Sequence, residues 1–108
     1  MDIKIDEKWF YLIQSGKKTV EGRLNRGVYK ELKQGNYIRF VCNGGATCDA
    51  TIVDIRHYKS FEEYLVNETL NNTLPSVETF EQGLAIYHQF YTREDVAKFG
   101  VLAIEIKI

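Results

Sequence analysis

Proline is nearly absent from this chain, with Pro75 the single instance among 108 residues. That scarcity excludes a polyproline segment or a stiff Pro-rich linker. Cysteine is almost as rare. Cys42 and Cys48 flank Asn43-Gly44-Gly45-Ala46-Thr47, a turn-forming stretch between two apolar runs. This reads as a hairpin with a thiol near the end of each strand, the two facing across it. Two cysteines without a nearby histidine are too few for zinc, so no metal and no cofactor are expected. No stretch approaches the roughly 20 apolar residues of a membrane span, and no leader-like apolar run opens the chain. A soluble, cytoplasmic protein with reduced thiols and no membrane partner is therefore expected. There is no repeat, linker or low-complexity segment either. What is present is 44% hydrophobic composition, enough for one core without staples, so residues 1–108 are read as a single domain.

The chain also lacks a net charge worth the name, at −1, which by itself suggests no affinity for polyanions. The average conceals two opposed segments. From Lys17 to Arg39 there are seven bases against Glu21 and Glu31, whereas from Ser60 to Asp95 Arg93 alone faces seven acids. Either the two segments attract one another, or the basic one presents a positive surface to phosphate.

The pattern of apolar residues predicts an edge strand over Met1–Lys4 and a helix capped by Asp6, with Trp9, Leu12 and Ile13 inward and Gly16 as its stop. A polar strand runs from about Lys18 to Leu24, followed by a helical turn near Tyr29–Leu32. Strands at Tyr37–Cys42 and Ala50–Tyr58 surround the Asn-Gly-Gly turn. The second shifts its apolar phase from Ala50/Ile52 to Val53/Ile55, the signature of a β-bulge. Ser60 with Glu63 and Thr79 with Gln82 read as capping boxes, and Thr92 with Asp95 as an acidic variant. Phe61, Tyr64 and Leu65 mark one helix face, and Phe80, Leu84, Tyr87 and Tyr91 another. Leu102, Ile104, Ile106 and Ile108 alternate with Ala103, Glu105 and Lys107 in a final strand with one buried face. This order has too few parallel crossovers for a doubly wound sheet. It fits an α+β fold, a small bent mixed β-barrel with helices packed on its side and end.

The most informative segment is Gly16-Lys17-Lys18-Thr19-Val20-Glu21-Gly22-Arg23-Leu24. In an extended strand Thr19, Glu21 and Arg23 share one face, with Lys18, Val20 and Leu24 on the other. Inside a barrel, Glu21 and Arg23 must pair or line a wet pocket, because burying either alone costs several kcal/mol. The bland reading is an ion pair closing a barrel end. The functional reading is the floor of a ligand site. Trp9, Tyr58, Tyr87, Phe90 and Tyr91 divide in the same way between core packing and a stacking surface for a base, with Tyr91 the first candidate. His57 and His88 have no matching acid or cysteine spacing and carry no ligand role.

Taken together with Gly35-Asn36-Tyr37-Ile38-Arg39-Phe40, Ser60-Phe61-Glu62-Glu63-Tyr64-Leu65, Ile86-Tyr87 with Phe90-Tyr91, and Phe99-Gly100-Val101-Leu102-Ala103-Ile104, that segment resembles the ASCH domain family, a branch of the PUA-like superfamily. The resemblance covers essentially the whole chain, and Gly-x-Lys-Thr-x-Glu-x-Arg is its most specific part. It implies a PUA-like β-barrel whose cleft is edged by helices, and a role in RNA or modified-nucleoside chemistry. Family members are proposed to bind RNA. Some small members are amidohydrolases that remove the acetyl group of N4-acetylcytidine with a lysine, a threonine and a glutamate. Lys18 and Thr19 align with the Lys-Thr pair of those enzymes, and Arg23 with their arginine. Their catalytic threonine falls two residues after that pair, where this chain has Glu21. Their glutamate comes from the segment before the aromatic helix, where Glu68 and Glu78 both qualify.

Two readings follow. One is a module binding RNA or a modified nucleoside or nucleotide in a polar cleft lined by this strand, with Arg23 and Tyr91 contacting the ligand. Lys17, Arg26, Lys30, Lys33 and Arg39 then meet phosphate. The other is an amidohydrolase on acylated cytidine nucleosides, or a ribonuclease. There Lys18 acts as base or nucleophile, Glu21 relays a proton, and Thr19 orients substrate or water. A third reading makes the acidic, aromatic second half a protein-interaction surface.

Overall fold

Residues 1–108 are all described by a computed structural model. The chain runs β1 (Asp2–Lys4), α1 (Glu7–Gln14), β2 (Val20–Leu24), a 3-10 turn (Gly27–Glu31), β3 (Tyr37–Val41), β4 (Thr47–Tyr58), α2 (Phe61–Glu68), α3 (Leu70–Thr73), α4 (Phe80–His88), α5 (Arg93–Phe99) and β5 (Val101–Lys107). The strands form one sheet in the order β1-β3-β4-β5-β2, parallel only between β1 and β3. This is a mixed, curled α+β half-barrel with helices alongside. The curl brings the two outer strands so close that Arg23 on β2 donates from Nη2 to the Lys4 carbonyl of β1 at 3.2 Å.

Curvature comes from the expected bulge. The β4–β5 register shifts between Ile52 and Asp54, so Ile52 and Ile55 face the same side across Ile106 and Ile104. The concave face holds one core, in which Phe10 and Ile13 of α1 pack on Ile38, Phe40, Ile52, Leu102 and Ile104. The convex face holds a second, in which Phe61, Tyr64, Leu65, Tyr87 and Val96 cover Val20, Leu24, Val101 and Ala103. β5 is therefore buried on both faces. The expectation of one buried face is corrected, because helices cover the side on which Val101 and Ala103 stand.

Other local expectations are adjusted. Asp6 precedes α1 in extended conformation but its side chain makes no capping bond, and Phe10 with Ile13, not Trp9 or Leu12, is buried. Thr79 and Gln82 form the full reciprocal box. Ser60 accepts from the Glu63 N–H, yet the Glu63 carboxylate turns back one residue further, to the Lys59 N–H. Thr92 caps α5 as expected. Cys42 and Cys48 are buried and free. Pairing places Cys48 opposite Phe40, so the thiols lie diagonally and not face to face. No helix is long and apolar enough to cross a membrane.

The helix α3 had no sequence signal. It follows Thr69, whose φ of +73° with ψ of 150° lies in a region nearly restricted to glycine. That sharp reversal brings the carbonyls of Asn72 and Thr73 against the start of β2.

Gly22 is required by packing. A Cβ there would sit 2.8 Å from both Cζ and Oη of the fully buried Tyr64. Overpacking of this kind costs about 1–3 kcal/mol. Gly22→Ala should accordingly lower the urea unfolding midpoint by that equivalent, and an unchanged midpoint would show that Tyr64 is free to yield.

Candidate functional site

Gly16, at φ +80°, ends α1, and the N–H groups of Lys17 and Lys18 both return to the Leu12 carbonyl at 2.9 Å. Lys18 thus belongs to the end of the helix, and regular strand alternation begins only at Val20. The sequence expectation that Lys18 and Glu21 occupy opposite faces is corrected for this reason. Lys18 turns into the seam and its Nζ meets Glu21 Oε1 at 3.2 Å. The same ammonium donates to the carbonyls of Val20 at 2.7 Å and Thr73 at 2.5 Å. Its three hydrogens therefore have three acceptors. Glu21 lies opposite Ile104, on the concave face, and Arg23 lies opposite Leu102 on the same face. Arg23 donates to Glu21 Oε2 from Nε at 3.1 Å and from Nη2 at 2.8 Å, and from Nη1 to the Tyr29 hydroxyl at 3.1 Å. With the Lys4 contact, one Nη1 hydrogen is left over.

These are buried charges: Lys18 is 2% and Glu21 6% exposed. Desolvation is the largest influence on Glu21 and would raise its pKa. Lys18 and Arg23 outweigh it and hold the carboxyl below its ordinary value. Burial lowers the pKa of Lys18, against the opposing pull of Glu21. Burial also works against the Arg23 charge, but Glu21, then Tyr29, raise its pKa above the usual arginine range. Two cations around one carboxylate leave the triad with a formal excess of one positive charge.

The triad is not sealed. Lys18, Glu21, Gly22 and Arg23 form one wall of a cleft of about 270 Å³. Lys4, Ile5, Asp6 and Trp9 form the wall from β1 and α1, while Leu74, Ile86, Tyr87, Phe90 and Tyr91 come from the loop before α4 and from α4 and its end, and Asn43 from the hairpin turn. This volume is slightly under the roughly 300–1,000 Å³ of pockets that take drug-sized ligands, so the cleft is of a size for a small ligand. Phe90 is 64% exposed at the rim. Burial raises the pKa of the Tyr91 hydroxyl, so it stays protonated and can donate.

Among the expected site residues, Lys18, Glu21, Arg23 and Tyr91 converge on the cleft. Thr19 does not. Its N–H donates to Asn72 and its carbonyl accepts from Ile106, tying it into the frame outside the cleft lining. Of the aromatics, Trp9, Tyr87, Phe90 and Tyr91 border the cleft, although Tyr87 and Tyr91 are also stacked on Phe61, at 4.3 and 5.6 Å. Tyr58 lies elsewhere, donating to Glu68. Neither glutamate candidate reaches the cleft. Glu68 accepts from Arg56 Nε and Nη2, each at 2.7 Å, and Glu78 is an exposed residue before α4. The Arg56 hydrogen bond is the main reason the Glu68 pKa lies low. Arg56 also bridges to Asp54 and Glu105, so this cluster fastens α2 to the sheet.

The phosphate candidates also separate. None lines the cleft. Arg26 pairs with Asp95 at 3.3 Å, the one side-chain ion pair that joins the basic and acidic segments, and Arg39 pairs with Asp49 at 2.8 Å. Lys17, Lys30 and Lys33 are exposed without an ion-pair partner, and Lys30 and Lys33 border a second hollow beside Tyr29. No three His, Cys, Asp or Glu side chains converge as metal ligands. Lys4, Asp6 and Asn43 were missed because each sits at the end of an element, where periodicity carries no information. Only the curl of the sheet brings them to β2.

Comparison with known proteins places this geometry. The family model described as ASCH domain matches residues 3–108. The crystal structure of hypothetical protein PH0355 is 38% identical, with 98% of this chain and 95% of that one covered, at a TM-score of 0.88. The solution NMR structure of protein PF0455 from Pyrococcus furiosus is 37% identical, over 99% of this chain and 96% of that one, at a TM-score of 0.78. The curled sheet with flanking helices is the PUA-like arrangement. No curated protein matches the chain.

Removing one partner from a buried charge cluster costs about 3–5 kcal/mol, since the rest is left uncompensated. Glu21→Gln should lose stability on that scale in urea titrations at pH 7, and a loss within about 0.5 kcal/mol would refute a tightly coupled triad. The native carboxyl titrates below its unfolded value of about 4.3, so between the two the unfolded chain binds more protons and stability rises with pH. The gap between wild type and Glu21→Gln is therefore full above pH ~4.3 and shrinks as pH falls through the native value.

Proposed function

We propose that this chain, which belongs to the ASCH domain family, binds RNA or a modified nucleoside or nucleotide in the cleft beside Lys18, Glu21 and Arg23. The observation that carries this reading is a charged, buried triad that nevertheless borders an open, aromatic-rimmed cleft. A cluster serving only as scaffold gains nothing from that opening. The excess positive charge and the spare Arg23 hydrogen favour an acceptor-rich ligand, such as a base carbonyl or a phosphate oxygen. Trp9, Phe90 and Tyr91 supply faces on which an unpaired base can stack, the usual way single-stranded RNA is held. Lys30 and Lys33 share a hollow with Tyr29, whose hydroxyl accepts from Arg23 of the cleft wall, and are the candidates for neighbouring phosphates.

Trp9 is the sole tryptophan and borders the cleft, so its fluorescence reports occupancy. Short single-stranded RNA should quench it with an affinity that falls as salt rises. Phe90→Ala should weaken binding by about 1–3 kcal/mol, the worth of one stacked base, without destabilising the fold. Lys30→Ala should weaken binding of RNAs of any sequence and reduce the salt slope by about one. Quenching that ignores both salt and Phe90 would remove this reading.

Hydrolysis of an acylated cytidine is the second reading, favoured by the lowered pKa of Lys18 in contact with Glu21. Against it, the three acceptors around Nζ hold Lys18 as an ammonium, and Glu21 is the sole glutamate in the cleft lining. Thr19 keeps a role here only if it moves, and the same holds for Glu68 or Glu78. Incubation with N4-acetylcytidine, followed by chromatography, should leave the acetyl group in place. Release of acetate that disappears in Lys18→Ala would replace the binding reading with the enzymatic one.

A further inference from the structure

We infer that Gly22 reads the ligand with its backbone, offering one N–H donor and one C=O acceptor to the edge of a planar heterocycle such as a nucleobase. This deepens the nucleotide-binding reading of the cleft and rests on it. The register of β2 on β5 decides which of its backbone groups are free. Thr19 accepts from the Ile106 N–H, and Asn25 donates to the Gly100 carbonyl. Pairing of Glu21 with Ile104 and Arg23 with Leu102 lies between these in the same phase. In an antiparallel ladder hydrogen-bonded residues alternate, so Val20, Gly22 and Leu24 direct their N–H and C=O groups away from β5. β2 is an outer strand, so those groups meet no further strand.

Two of the three carbonyls on that free edge are already satisfied. Lys18 Nζ donates to the Val20 carbonyl at 2.7 Å, and the Arg26 N–H to the Leu24 carbonyl at 2.9 Å. Gly22, between them, has no hydrogen-bond partner for either backbone group, yet it is buried and lines the cleft. Buried backbone polar groups are almost always paired, so a free donor and acceptor at a cleft wall point to something that arrives from outside. With no side chain, Gly22 can present only backbone atoms to that cleft.

The size of the gap selects the occupant. An added peptide strand needs free donors and acceptors on several alternate residues, but here the N–H groups of Val20, Gly22 and Leu24 are unpaired while Gly22 alone keeps a free carbonyl, and Val20 and Leu24 lie outside the cleft lining. One donor beside one acceptor matches the edge of a flat ring that carries a neighbouring acceptor and donor, which every nucleobase has. Trp9 and Tyr91 in the same cleft provide stacking surfaces for that ring.

The experiment uses the ¹⁵N-labelled full chain, titrated with each of the four ribonucleoside 5′-monophosphates. Before nucleotide is added, the Gly22 amide should exchange with deuterium at least about tenfold faster than the neighbouring amides of Glu21 and Arg23, which are bonded to β5. Saturation with a nucleotide that quenches Trp9 should move the Gly22 amide proton downfield and slow its exchange by about tenfold. A nucleotide that quenches Trp9 and shifts the Arg23 side-chain signals, while the Gly22 amide stays put, would overturn this inference and leave the cleft as a nucleotide site. If no nucleotide disturbs Trp9 or Arg23, both fall. Joint protection of Val20, Gly22 and Leu24 at high protein concentration without nucleotide would indicate edge-to-edge pairing of two copies, and would also overturn it.

Discussion

The carboxylate of Glu21, held between Lys18 and Arg23, is the constraint around which the rest is arranged. A lone charge at that depth would cost several kcal/mol, so the fold has to deliver a cation to each oxygen. One arrives from the end of a helix and the other from the same strand two residues on. The anchoring is wide. Lys18 reaches the Thr73 carbonyl of α3, and Arg23 reaches Lys4 on β1 and Tyr29 in the 3-10 turn. Five separate segments are thereby tied to one carboxylate.

Placement at a sheet edge leaves this cluster bordering an open cleft. In a closed barrel the outer strands β1 and β2 would pair, and their backbone groups would be consumed in the ladder. Here the sheet stops short and a guanidinium spans the gap, so the seam is polar and one side of β2 remains addressable. α1 and α4 stand on either side of that seam, and their aromatic residues set the width of the opening. The unusual backbone of Thr69 serves the same end, since α3 meets β2 only through that reversal.

Much of this was legible in the sequence because it follows from local rules. Helix starts at Ser60, Thr79 and Thr92 were marked by capping residues, and the bulge by the phase change between Ile52 and Ile55. That Glu21 and Arg23 share a face follows from strand geometry alone. Strand alternation puts Lys18 on the face opposite Glu21, but Lys18 lies two residues before the strand, in a helix-terminating turn whose hydrogen bonds reset its direction. Thr19 shares that position before the strand, so the same alternation does not govern its side chain. α3 was invisible for the opposite reason, as a four-residue helix entered through a conformation that threonine rarely adopts. Asn43, Lys4 and Asp6 belong to the cleft through tertiary curvature, which no local pattern encodes. The acidic and basic segments do meet, but at Arg26 and Asp95 and not as two broad opposed surfaces.

The proposed ligand, small and flat, would enter on the open side of a buried ion cluster that keeps one unused Arg23 hydrogen. The most direct test is a crystal structure of the protein grown with a saturating ribonucleoside 5′-monophosphate. The expected density is a base lying in the cleft within hydrogen-bonding distance of Arg23 or Gly22, with Lys18 and Glu21 unmoved. Density only at the Lys30 and Lys33 hollow, with the cleft closed by Phe90 or Tyr91, would contradict it.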